Sequence, residues 1–267
     1  MRARSLRQSF LGPDSDAVLA GSRALVIGTS GGGSHIGQQL AHVGFGHVDL
    51  IDPSRIGVRH QHRLVGTSSA AVRGSWNKVH VVQRLMKRVH PEGSIVAHPV
   101  RWQEVTDIVR SSQIVFACVD GYLARDEIER FTRRFHLPLI DIGMDVLPGN
   151  YNGHRIVGQV ILSIPGGPCM RCLGYLRNDL LAEEALKYGA AGENPQVIWP
   201  NGVLASTAVG MAVQLLLPWR QNTEPAPYLV YDGDALTMFP HPRLRYASAT
   251  CRHFDGVRGV GDPFFRL

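Results

Sequence analysis

Two acids, two cations and a run of glycines sit where a nucleotide could be handled. The glycine run, Gly28-Thr29-Ser30-Gly31-Gly32-Gly33, follows four apolar residues directly. Asp52 ends a second apolar run, 24 positions after Gly28, and Asp120 ends another. Arg63 lies in the segment after the first acid, and Lys78 opens a later amphipathic stretch. Glycines let a backbone turn tightly and approach a phosphate with no Cβ in the way. A helix starting there offers free N–H groups and a positive dipole end to an anion. An acid at the end of the second strand is placed to accept hydrogen bonds from ribose hydroxyls. Near phosphates a carboxylate is repulsive unless it holds a divalent cation, so Asp120 reads as a Mg²⁺ ligand. Arg63 and Lys78 would then neutralise phosphate charge as it shifts during a displacement. The glycine turn and Asp52 by themselves would also suit an NAD-dependent oxidoreductase, but that reading leaves Arg63, Lys78 and Asp120 without roles.

These residues have to be positioned by the elements around them. Residues 24–27 read as a buried strand, 34–43 as a helix with Ile36, Leu40 and Val43 on one face, and 47–51 as a second strand. Strand, glycine turn, helix, strand and acid form half of a nucleotide-binding Rossmann unit. Residues 56–76 are too many for a tight turn, so they lie over the site or form short helical pieces. A helix is expected over 77–89, a strand over 94–100 and a short helix over 105–110. A strand over 114–119, a helix over 125–135 and a strand over 138–142 follow. This alternation predicts a doubly wound, mostly parallel sheet. After 150 the texture changes: a strand over 157–164, a turn carrying a CxxC pair, and a helix over 180–188. A long apolar helix over 201–217 and strands over 228–232 and near Leu244 complete it. Residues 150–267 therefore read as a mixed or antiparallel extension of the same sheet. The whole chain is expected to be one domain behind a polar, partly extended arm at 1–21, with its nucleotide-binding half at 22–149.

Composition narrows the function classes. The formal net charge of +6 is spread among acids with no basic–aromatic stripe, so a nucleic-acid partner is not expected. A modest basic balance suits anionic ligands such as ATP. No run of about 18 apolar residues exists, and the basic N-terminus lacks the apolar core of a signal peptide. Four cysteines, two of them paired as CxxC, point to a reducing, cytoplasmic setting and a metal rather than a disulfide framework. Cys118, inside an apolar run, reads as a core residue.

The chain resembles the ThiF/MoeB/HesA group of ubiquitin-activating-enzyme-like adenylyltransferases from about Arg7 to Asp232. The resemblance rests on RQSFLG, VIGTSGGGSHIGQQLAHVGFGHVDLIDPSRI, HQHRL, NKVHVVQRL followed by HP, FACVDGYLARDEI and GGPCMRCLG. It implies use of ATP and Mg²⁺ to adenylate the C-terminal carboxylate of a ubiquitin-like or sulfur-carrier protein. By that resemblance Gly28, Gly31, Gly32 and Gly33 back the phosphates and Asp52 binds the ribose. Arg63 and Lys78 contact phosphates, Asp120 holds Mg²⁺, and Arg7 reaches into a partner's ATP site in a homodimer. Cys169 and Cys172 match the first half of a CxxC…CxxC structural zinc site. The second CxxC is missing, and Cys251 and His253 would complete a Cys₃His set for Zn²⁺.

Four positions depart from the family pattern: Ser30 stands for Gly, Ser54 for a second acid, His60 for the loop asparagine and Gly121 for Asn. Ser30 fits if its φ stays negative, and His60 could donate to a phosphate as Asn would. The departures bear on turnover more than on nucleotide binding, so the alternative is a nucleotide-binding scaffold of the same fold. Residues 189–201 hold no cysteine, so adenylation without an enzyme thioester is expected.

Overall fold

The computed structural model describes residues 3–149, 153–186, 195–217, 219, 225–248 and 251–254. Among these residues eight strands form one sheet in the order β3-β2-β1-β4-β5-β6-β7-β8. In chain order these are β1 (Arg23–Ile27), β2 (His47–Ile51), β3 (Ser94–His98), β4 (Ile114–Ala117) and β5 (Leu139–Pro148). The last three are β6 (His154–Ser163), β7 (Tyr228–Asp232) and β8 (Thr237–Pro240). The first five pair in parallel and the last three antiparallel, so the sheet is mostly parallel with an antiparallel C-terminal edge.

Successive strand residues point to opposite faces, and the apolar run of β1 splits accordingly. Ala24 and Val26 join a core containing Ile36 and Leu40 of α2 (Gly31–Val43), Val82 and Met86 of α4 (Lys78–Val89) and Leu204 and Ala208 of α8 (Ile198–Leu216). Leu25 and Ile27 join the opposite core with Val109 of α5 (Thr106–Arg110), Ile128 and Phe131 of α6 (Tyr122–Arg134) and Met170. A strand apolar on both sides needs both faces covered, which is why these strands read as unbroken hydrophobic runs.

Several boundaries differ from expectation. The N-terminal arm is not extended: its described part is a 3-10 helix, Ala3–Leu11, followed by α1 (Ser15–Gly21). Leu11 and Leu19 are buried there and supply the anchoring that the arm's polar composition hides. β5 runs six residues past Ile142. Its parallel pairing to β4 ends at Asp141, while its antiparallel pairing to β6 continues to Pro148. The strand expected near Leu244 lies earlier, at β8, and Leu244 itself is in a 3-10 helix, Pro242–Tyr246, with Pro242 at its start. Helix α2 begins at Gly31, three residues before its apolar periodicity shows. The long segment 56–76 does carry short helical pieces, Val58–His60 and α3 (Ser69–Arg73). Helix α8 packs on α2 and on β5 and β6 of its own sheet. Helix α7 (Asn178–Leu186) is described only to Leu186, so the expected end at 188 lies outside the described residues.

Candidate nucleotide and metal sites

The glycine turn, Asp52 and Asp120 follow the C-terminal ends of β1, β2 and β4, three adjacent parallel strands. In open α/β sheets this is where ligands bind. Gly28 has φ +87, and a Cβ there would lie 2.5 Å from the carbonyl oxygen of Cys118. A Cβ on Gly33 would run into the Gly28 carbonyl, so α2 can start this close to β1 only with glycine at 33. Gly31 and Gly32 are held by packing: a Cβ on each would press on Asn201 of α8 and Ile142 of β5, at 2.7 Å and 2.5 Å. Ser30 has φ −85, the negative value that lets serine stand in for glycine, and its own side chain makes no cap hydrogen bond to α2.

Asp52 is fixed tightly. One carboxylate oxygen accepts the Thr29 N–H at 2.9 Å and the Thr29 hydroxyl at 3.3 Å, and the other accepts the Ser54 N–H at 2.8 Å. Ser54, where a second acid was looked for, thus orients the first. Its carbonyl also accepts the N–H of Lys78, the first residue of α4. Lys78 is 8% exposed. Burial lowers its pKa, the negative charges of Asp52 and Asp120 work the other way, and Arg63 and Arg59 push it down again. The four residues Asp52, Lys78, Arg63 and Asp120 therefore share one electrostatic neighbourhood. Arg59 belongs to it as well. Sequence reasoning passed over it, although it stands four residues before Arg63 in the same basic loop.

The loop is pinned to the turn by Ser34, whose buried hydroxyl donates to Gly31 and accepts the Val65 N–H at 3.0 Å. His60 is buried, and its Nδ1 accepts the Gly57 N–H at 2.9 Å, which places the ring proton on Nε2. Burial first, then Lys78, Arg63 and Arg59, hold its pKa at about 4, so at neutral pH it is an uncharged single donor. Asp120 is exposed, with Oδ1 accepting from the Gln196 amide at 3.1 Å, while the Gln196 carbonyl lies 3.3 Å from Nε2 of His62.

Behind Asp120, Arg125 of α6 donates to the Val119 carbonyl at 2.6 Å and pairs with buried Asp141 at 2.6 Å. Cys118 is half-buried and packs against the first core, with its thiol pKa raised by burial. Arg7 is exposed on the N-terminal arm, and none of the described contacts joins it to the other site residues.

A second cluster brings the CxxC loop after β6 together with Cys251 and His253. Cys169, Cys172, Cys251 and His253 each offer one ligand atom, all within 4.8 Å of one another. Cys172 Sγ lies 3.6 Å from the sulfurs of both Cys169 and Cys251. His253 Nδ1 lies 3.5 Å and 3.3 Å from Cys169 and Cys172. A tetrahedral zinc with bonds of about 2.3 Å to sulfur and 2.0–2.1 Å to nitrogen has edges of about 3.8 and 3.5 Å, so this set fits that ion. The Cys172 and Phe254 N–H groups point at the sulfurs of Cys169 and Cys251, at 3.4 and 3.3 Å. Burial would raise the Cys172 thiol, but hydrogen bonds from the backbone at Arg252 and Cys169 and from His253 hold its pKa at about 6. The loop is riveted to α6: buried Glu129 accepts the Met170 N–H at 2.8 Å, and Arg133 donates to the carbonyls of Gly167 and Pro168.

A family model described as the ThiF family matches residues 2–253. The chain belongs to the ThiF family. Among curated proteins, this ThiF chain is 24% identical over 261 residues to the adenylyltransferase and sulfurtransferase uba4 of Aspergillus terreus. That match covers 94% of this chain and 51% of the relative. It is 25% identical over 173 residues to the SAMP-activating enzyme E1 of Haloferax volcanii, covering 64% of this chain and 60% of that one. The chain thus spans between half and three-fifths of the length of these two relatives. Its fold matches a crystal structure of E. coli MccB with ATP, at a TM-score of 0.74 and 18% identity, covering 97% of this chain and 75% of MccB.

Proposed function

We propose that this ThiF-family chain is an adenylyltransferase that uses ATP and Mg²⁺ to activate the C-terminal carboxylate of a ubiquitin-like or sulfur-carrier protein. The observation that carries this reading is the buried Lys78, which feels two acids and two arginines beside the glycine turn. Family membership and the adenylyltransferase relatives support it. So does the naming of the archaeal relative as activating a SAMP protein.

In this reading Asp52 accepts from the ribose hydroxyls, and the start of α2 faces the phosphates. Arg63, Lys78 and neutral His60 donate to them. The incoming carboxylate oxygen attacks the α-phosphorus, a P–O bond forms, and the bond to pyrophosphate breaks. Arg63 and Lys78 hold the negative charge that moves onto the leaving group. A hard, oxygen-seeking cation suits the exposed carboxylate of Asp120, and bound there it would supply further charge neutralisation. With no cysteine between 189 and 201, the acyl-adenylate passes to an outside nucleophile. Arg7 is assigned to the partner's nucleotide in a homodimer. Cys169, Cys172, Cys251 and His253 hold a structural Zn²⁺.

Isotope exchange between pyrophosphate and ATP tests the reading. Exchange is expected only when a carrier with a free C-terminal carboxylate and Mg²⁺ are both present. ATP binding without exchange, across a panel of such carriers, would make the chain a nucleotide-binding scaffold instead.

A further inference from the structure

Helix α6 starts immediately after Asp120-Gly121, and its first N–H groups need partners from outside the helix. Side chains such as asparagine or serine at the N-cap position supply one locally. Gly121 stands there and has none. The partner comes from α7 instead, 62 residues away. Oε2 of Glu184 accepts the N–H of Tyr122 at 2.6 Å and of Leu123 at 2.9 Å. Gly121 and Glu184 are a matched pair. A Cβ on residue 121 would run into Oε1 of Glu184, and φ +93 with ψ 149 is backbone territory reserved for glycine. The carboxylate also complements the positive end of the α6 dipole.

We propose that Glu184 is a positioning residue for Asp120. It fixes residues 121–123 from the C-terminal side, while Arg125 fixes the Val119 carbonyl from the other. Asp120 sits between these two clamps, so its carboxylate is aimed before any cation arrives. The dependence runs both ways: α7 fully buries none of its described side chains, Leu181 packs only partly buried against the second core, and Glu184 ties the helix to the start of α6. The inference rests on the adenylation reading, in which Asp120 is a magnesium ligand. That α7 lacks fully buried side chains among those described also means that a substitution at 184 leaves the folded core intact.

Glu184→Ala should speed amide hydrogen exchange at Tyr122 and Leu123, read by NMR on the full chain, by about tenfold, the factor equivalent to a lost helix cap. The magnesium concentration for half-maximal pyrophosphate exchange should rise by a similar factor, with the maximal rate nearly unchanged. Glu184→Gln keeps an oxygen that accepts both N–H groups and should stay within about threefold of the unsubstituted chain. Unaltered amide exchange in Glu184→Ala overturns the inference. So does a fall in maximal rate with the magnesium requirement unmoved. A chain showing no magnesium-dependent exchange whatever stands at 184 overturns the adenylation reading instead. In that case faster amide exchange in the alanine variant still upholds the cap.

Discussion

Asp120→Ala is expected to lower carrier-dependent pyrophosphate exchange by about 10²–10³-fold, the range seen when one charge-stabilising group is removed from a preorganised site. The reason is local. In the proposed chemistry the triphosphate's charge grows on the leaving pyrophosphate as the P–O bond breaks, and Arg63 and Lys78 alone leave part of it unbalanced. Lys78 is partly committed already, because burial lowers its pKa and the negative charges of Asp52 and Asp120 work against that. Losing Asp120 removes both the cation's anchor and one of the charges that keep Lys78 protonated. Stability should barely change, within about 0.5 kcal/mol, since Asp120 is exposed and its described hydrogen bond is a single one from Gln196. Exchange assays beside a thermal melt separate the two effects. A variant with undiminished exchange would remove Asp120 from the mechanism.

Loss of the metal is expected to have the largest effect on stability. Zinc content should be one ion per chain, and Cys251→Ser should abolish it. Structural zinc in isolated zinc-finger peptides contributes about 10–16 kcal/mol of apparent binding energy. Here the loop is also held by protein contacts, through Glu129, Arg133 and the Asp126–Arg171 pair at 2.8 Å. The expected loss is therefore smaller, about 3 kcal/mol, which lowers the melting temperature by roughly 6–12 °C in a chain this size. In the unsubstituted chain stripped of metal, two buried thiols, Cys169 and Cys251, would be left beside each other and His253 without an ion to bind them. Metal analysis of purified protein and a melt with and without chelator check this. Protein purified without zinc, with a melting temperature that chelator leaves unchanged, would show that the cluster is a packed thiol corner.

The parallel half of the sheet was legible because its cause is local. β1, β2 and β4 are short, mostly apolar runs buried along most of their length, and each is followed within a few residues by a glycine or an acid at the ligand-binding edge. The turn of the glycine cluster was legible for the same reason, down to the negative φ required of Ser30. The Cys₃His grouping was legible through the family resemblance, which called for a second ligand pair where Cys251 and His253 stand, some 80 residues from the CxxC pair. What escaped was non-local. The full length of β5 depends on its hairpin with β6, not on its own alternation. The helical arm depends on Leu11 and Leu19 finding the core. Leu244 lies in a run whose strand-like residues sit beside Pro242, and proline at its start turned it into a 3-10 helix. At the site, Gln196 and Glu184 meet Asp120 and α6 from 76 and 62 positions away, distances at which no spacing rule operates.

A crystal structure with ATP and Mg²⁺ bound tests the central claim most directly. The account predicts the ribose hydroxyls on Asp52, the phosphates over the start of α2 with Arg63 and Lys78 upon them, and the cation on Asp120. A triphosphate bound with Lys78 and Asp120 turned away from it, or a nicotinamide dinucleotide bound in its place, would contradict it.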